Sequence, residues 1–154
     1  MDMLKEIEII NNLASVFDVP SGRGLIVTEY IYSGISFFDG IKAALDESKN
    51  KNLIKRAVKR PCPLIHFNNG FVLNFRGGQL DGQSIRGCYS TVFAMAENRL
   101  PTLANMEFLQ TVRDGCAYGL FLRPKDLDFY QWGYRLMLRA MLLTLKRRDL
   151  SEKH

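Results

Sequence analysis

The run Leu64-Ile65-His66-Phe67-Asn68-Asn69-Gly70-Phe71-Val72-Leu73-Asn74-Phe75 decides how the rest of the chain is read. Predominantly apolar, strand-forming residues flank Asn69-Gly70 on both sides. Asn-Gly tolerates the positive φ angles of a type I′ turn, whose twist matches the strands it joins. The stretch is therefore expected to be a β-hairpin. A second signal of the same kind runs from Met106 to Val112, through Asp114-Gly115, to Tyr118–Leu122. The segment 103–113 can be drawn on a helix or a strand, and strand is preferred because Asp114-Gly115 follows it. Two hairpins in an otherwise helical chain predict an α+β domain. The expected sheet is four-stranded and antiparallel, packed by helices.

Outward from the hairpins, residues 3–17 read as a helix, with Leu4, Ile7, Ile10, Leu13 and Phe17 at helical spacing. Pro20-Ser21-Gly22-Arg23-Gly24 breaks it. That loop lacks the Lys-Ser/Thr of a P-loop and reads as an ordinary connection. Residues 25–47 look like a second helix, although Leu25-Ile26-Val27-Thr28, three of them β-branched, also suits a strand. Gly34 and Gly40 each weaken a helix by up to about 1 kcal/mol relative to Ala, and can admit the backbone of a neighbour. Residues 52–60 predict a short basic helix ended by Pro61 and Pro63. Residues 84–97 predict a further helix, with Ile85, Cys88, Val92 and Met95 aligned.

The final helix is expected over 124–148, with Pro124 in its first turn, Asp126 and Asp128 at its positive end, and Lys146 to Arg148 at its negative end. Leu127, Tyr130, Tyr134, Met137, Leu138, Met141 and Leu145 predict its apolar face. Gln131, Arg135, Arg139 and Lys146 form a narrow polar strip. Leu142 falls inside that strip, and Trp132 and Leu143 at its edges. A helix this apolar is either deeply packed or shared with a partner. Trp132, Arg135, Arg139, Leu142 and Leu143 are thus the candidate interface.

At 154 residues the chain fits a single domain over 1–154, made of an N-terminal helix (1–17), an α+β core (25–122) and the C-terminal helix. Apolar residues are 47% and charged residues 24%, which argues against disorder. Cys62, Cys88 and Cys116 are odd in number and form no Cys-x-x-Cys. The first residues lack the basic and apolar regions of a signal peptide, and Arg135 and Arg139 interrupt the most apolar stretch. A reducing, cytoplasmic setting and no membrane span are expected.

The net charge of +5 is uneven. Residues 48–80 hold no acid but contain Lys49, Lys51, Lys55, Arg56, Lys59, Arg60 and Arg76. Lys55, Arg56, Lys59 and Arg60 form the candidate basic patch, a nucleic-acid surface or simply a solvated charged face. Phe67, Phe71 and Phe75 nearby are candidates for base stacking, though strand aromatics more often face a core. Cys62-x-x-x-His66 is a single loose pair, short of the four convergent ligands of structural zinc. His66 is the only internal histidine available to activate a thiol. Asp126 and Asp128 point to different sides of a helix, so no acid–base pair is visible. No cofactor, metal or enzymatic activity is expected from these residues.

The order helix, hairpin, glycine-containing helix, hairpin over roughly residues 25–122 resembles the 4-vinyl-reductase-type domain and the related transport-protein-particle (TRAPP) subunit fold. Tyr30-x-x-x-Gly34 is similar to that family's aromatic-plus-glycine helix. Gly87-Cys88-Tyr89-Ser90-Thr91-Val92-Phe93 resembles its glycine-x-x-x-small helix. Glu107-Phe108-Leu109-Gln110, Gly115 and Phe121 resemble its closing hairpin. Gln110 stands where zinc-carrying members have a first Cys. Tyr118 stands near the second, with Cys116 two residues earlier. The resemblance implies either a sensor of a small apolar ligand or an assembly subunit that dimerises through helices. The leading expectation is a non-enzymatic adaptor or complex subunit, acting on a protein partner or as a homo-oligomer through the C-terminal helix. A carrier of a small apolar ligand, lined by Phe37, Phe38, Tyr89 and Phe93, is the alternative. A nucleic-acid-binding accessory protein using the basic segment is the second.

Overall fold

The computed structural model describes residues 3–28, 31–48, 53–60, 62–77, 91–95, 119–122 and 128–152. The elements in chain order are α1 (Met3–Asp18), β1 (Arg23–Thr28), α2 (Ile31–Glu47), β2 (Ile54–Val58), β3 (Leu64–Phe67), β4 (Val72–Gly77), β5 (Thr91–Met95), β6 (Gly119–Leu122) and α3 (Phe129–Glu152). The strands form one six-stranded sheet in the order β2-β3-β4-β1-β5-β6.

The α+β class holds, but the sheet is mixed rather than antiparallel. β2–β3 and β3–β4 are antiparallel, whereas β1 runs parallel to both β4 and β5, and β6 parallel to β5. The first hairpin is present as β3–β4, with His66 opposite Val72 and Leu64 opposite Asn74. Its turn differs from type I′. Only Gly70 has positive φ, at 92°. Gly70 N donates to Phe67 O at 3.0 Å and Phe67 N to Phe71 O at 2.9 Å. This is a type I turn closed by a left-handed glycine, the three-residue alternative to a two-residue loop. Asn69 also fastens the turn to α1, donating from Nδ2 to Val16 O at 2.8 Å.

Several other segments differ from expectation. Leu25–Thr28 belongs to strand β1, not to the second helix. Residues 54–58 are strand β2, not a basic helix, and 91–95 are strand β5, not part of a helix over 84–97. Of the second hairpin, 119–122 is a strand, but its partner is β5 in parallel. The segment 103–113 and Asp114-Gly115 lie outside the described residues, as do Tyr89, Cys88 and Cys116. For β1 the physical reason is its parallel pairing on both sides, whereas β2 is an antiparallel edge strand whose pairing with β3 overrides a helical spacing. A parallel strand covered on both faces has no apolar–polar alternation to display. Leu25 illustrates the point: it is fully buried, yet lies on the opposite face from Ile26, which packs into the main core.

That core lies between one face of the sheet and three helices. Ile26, Ile65, Phe67, Leu73 and Phe75 meet Ile9, Leu13, Phe37, Phe38, Ile41, Trp132 and Leu136. Phe37 is at its centre, edge-on to Trp132 at 5.2 Å and Phe129 at 6.3 Å, and tilted against Phe75 at 6.4 Å. Such aromatic pairs add about 0.5–1.5 kcal/mol each beyond area burial.

The helices α2 and α3 touch backbone to backbone. A methyl group on Gly40 would overlap the Tyr130 carbonyl oxygen and stand 2.9 Å from Tyr134 N. One on Gly133 would stand 2.7 Å from Phe37 O. Beside this contact the Tyr134 hydroxyl donates to the Glu47 carboxylate, and that hydrogen bond, followed by desolvation, raises the tyrosine's pKa. Arg135 meets Glu6 of α1 at 2.5 Å, and Arg147 meets Asp18 at 3.3 Å and Asn11 at 2.9 Å. Low-numbered residues of α1 thus pair with low-numbered residues of α3, so the two helices run in the same direction. Exposed pairs of this kind contribute about 0–1 kcal/mol each. Asp128 caps α3, accepting from Gln131 N at 3.1 Å.

Gly40→Ala and Gly133→Ala are each expected to lower unfolding stability by about 2–3 kcal/mol in urea denaturation, because overpacking outweighs the gain of up to about 1 kcal/mol in helix propensity. A stabilised Gly40→Ala protein would contradict the close crossing.

Candidate functional site

Two surfaces carry the residues singled out in the sequence: the outer side of α3, and the edge strand β2.

The inward face of α3 is Phe129, Trp132, Gly133, Leu136, Met137, Ala140 and Thr144. This face is rotated from the expected one. Tyr130 and Leu145, predicted to be buried, are exposed. Trp132, predicted at an interface, is 2% exposed and belongs to the internal core. The rotation follows from Gly133, the one position on the helix narrow enough to admit the α2 backbone. Leu143 is half-buried and packs against the core. Leu142 alone of the apolar interface candidates stands fully outward, at 61% exposure, with Leu145 at 52% one turn further on. Leu138, half-buried, precedes them, so Leu138, Leu142 and Leu145 share one face at i, i+4 and i+7. Arg139 and Lys146 stand beside this stripe, and both are exposed. Arg135 and Arg139 face Glu6 at 2.5 and 3.9 Å. Lys146 and Arg148 have no anionic partner among the described residues. The result is a short leucine stripe flanked by Arg139 and Lys146, with Asp149 exposed one turn beyond Leu145 on the same face.

Strand β2 and the two residues that follow it hold the basic patch. The strand's register shifts between Ile54 and Arg56, where one extra residue bulges out of the pairing with β3. Ile54 and Ala57 both pack against the core although three positions apart, a spacing that a bulge permits in a strand. The same bulge leaves Lys55 and Arg56 adjacent and exposed. Lys59 Nζ pairs with Asp39 of α2 at 3.0 Å. Lys55, Arg56 and Arg60 have no anionic partner among the described residues. Because β2 is the end strand of the sheet, bulge and charge together block the pairing of another strand onto it.

Phe37 and Phe38, candidates for a ligand cavity, are fully packed in the core, and Phe67, Phe71 and Phe75 are buried there too rather than free to stack on bases. Phe93 lies on β5. Cys62 carries a free thiol, and no group of three metal-type side chains occurs among the described residues. No helix among them is long and apolar enough to cross a membrane. Comparison with protein-family models, with curated proteins and with solved structures finds no match to this chain.

Sequence reasoning missed the bulge. Ile54, Ala57 and Val58 stand at i, i+3 and i+4, the spacing of a helix, so the sequence pointed away from a strand there. Replacing Lys55 and Arg56 together with valine is expected to leave the thermal melt within a few degrees of the parent while raising light scattering at high concentration. Unchanged scattering would show that the charges do not guard the edge.

Proposed function

We propose that this protein is a non-enzymatic assembly subunit that docks another protein chain on the outer face of α3. The observation that carries this reading is the exposure of Leu142 and Leu145 on a helix whose opposite face is fully used by the core. Burying a leucine side chain contributes about 1.5–3 kcal/mol, so a stripe of two or three is a substantial driving force. Arg139 and Lys146 beside the stripe, and the net charge of +5, favour a partner whose apolar residues are flanked by carboxylates. The rigid attachment of α3 to both α1 and α2 supports the role, because a preformed surface loses little entropy on binding.

The test is a photo-crosslinking residue at position 142, used in the protein's own host, followed by purification and mass measurement. The expected product is a defined heteromeric adduct. Leu142→Asp with Leu145→Asp should abolish that complex while leaving the circular-dichroism melt intact. A chain that stays monomeric and uncrosslinked would contradict the proposal, and an adduct of twice the chain mass would make the partner a second copy.

A further inference from the structure

α1 is joined to β1 by one tight turn, Val19-Pro20-Ser21-Gly22. Gly22 N donates to Val19 O at 3.3 Å and closes the turn, and Ser21 N donates to Asn69 O at 3.2 Å. Both bonds are long for N–H···O. Pro20 fixes φ near −65° at the second position of the turn, and Ser21 at the third has φ 60°. That is the type II pattern, whose third position favours glycine because the left-handed region crowds a Cβ against the backbone. Ser21 occupies that position with a side chain, so the closed turn is strained. The opened turn is not. Val19 precedes a proline, which already biases it to extended backbone. Four residues in extended form span roughly 13–14 Å.

α1 itself fits its seat well. Ile9, Leu13, Ala14 and Val16 are buried in the main core. Glu6 meets Arg135 and Arg139 at 2.5 and 3.9 Å, and Asp18 and Asn11 meet Arg147 at 3.3 and 2.9 Å. Four acids against Lys5 give residues 1–18 a charge of −3, which leaves +8 for the remainder of a chain whose net charge is +5. α1 is thus an acidic amphipathic helix in a groove whose α3 rim is basic. None of these contacts requires helix and groove to belong to the same copy. When two copies trade helices every contact is re-formed between them, and only the turn changes. A short connection under strain, beside an element whose contacts survive exchange, is the arrangement that favours swapping.

We propose that two copies of this chain exchange α1, with Val19–Gly22 opening as the hinge and each groove taking residues 3–18 of the second copy. The exchange uses no residue of the leucine stripe on α3 and stands or falls without it.

The experiment holds the full chain at high concentration just below its melting temperature, cools it, and measures mass by size-exclusion chromatography with light scattering. The parent is expected to give a dimer that dissociates slowly on dilution. Ser21→Gly, which relieves the left-handed position of the closed turn, should lower the association constant at least tenfold. Charge reversal identifies the exchange. Glu6→Arg in one variant, and Arg135→Glu with Arg139→Glu in another, each set like charges against one another within a copy. In an exchanged pair of the two variants both contacts are again opposite in sign. Mixed and treated in the same way, they should give a 1:1 heterodimer, resolved by native mass spectrometry, in excess over either homodimer. A parent that stays monomeric, a Ser21→Gly chain that dimerises like the parent, or a mixture without excess heterodimer would overturn the exchange. A dimer lost in Leu142→Asp with Leu145→Asp but unaffected by Ser21→Gly would place self-association on α3 and overturn it as well.

Discussion

The close crossing of α2 and α3 is the contact on which the remaining architecture depends. Gly40 and Gly133 remove the side chains that would otherwise hold the helices apart, and each presents its bare Cα to the other helix's backbone. Helix axes ordinarily pack 8–10 Å apart according to the side chains at the contact, and glycine brings them to the short end. At that distance Phe37 reaches Trp132, Phe129 and Phe75 at once. The crossing also sets the rotation of α3. A helix with apolar residues on nearly every side has no preferred inward face by burial alone. The narrow position at Gly133 selects one, and the selection leaves Leu142 and Leu145 outside.

The sheet then determines which surfaces are open. β1 lies at its centre with parallel neighbours β4 and β5, and its Leu25 is buried on the face away from the helices. β2 ends the sheet but is bulged and charged, which discourages strand addition. On the sheet face away from the helices Leu25 and its neighbour Asn74 are both buried, whereas the outer side of α3 keeps Leu142 and Leu145 exposed.

The parts of this arrangement that local chemistry dictates were legible in the sequence. Asn69-Gly70 marked the β3–β4 hairpin, and helical spacing from Leu4 to Phe17 marked α1. Gly40 was readable as a point of close approach, although nothing in the chain said which helix would come. Leu142 stood out as an apolar residue within a polar strip, and that signal survived. What was not legible depends on distant contacts. Lys55 and Arg56 belong to good helix formers, yet pairing with β3 imposes a strand there, as tertiary context routinely overrides weak local propensity. Thr91–Met95 fits a helical period, but parallel pairing with β1 makes it a strand. The burial of Trp132 followed from a rotation set by a glycine on its own helix and the backbone of another.

The most direct test of the glycine crossing is a double-mutant cycle in urea denaturation between Gly40→Ala and Gly133→Ala. If both glycines serve one contact, the first methyl already separates the helices and the second costs less than it does alone, giving a coupling of about 0.5–3 kcal/mol. Strict additivity, with each substitution costing the same in either background, would show that the two glycines act independently and that no shared crossing holds α3 in place.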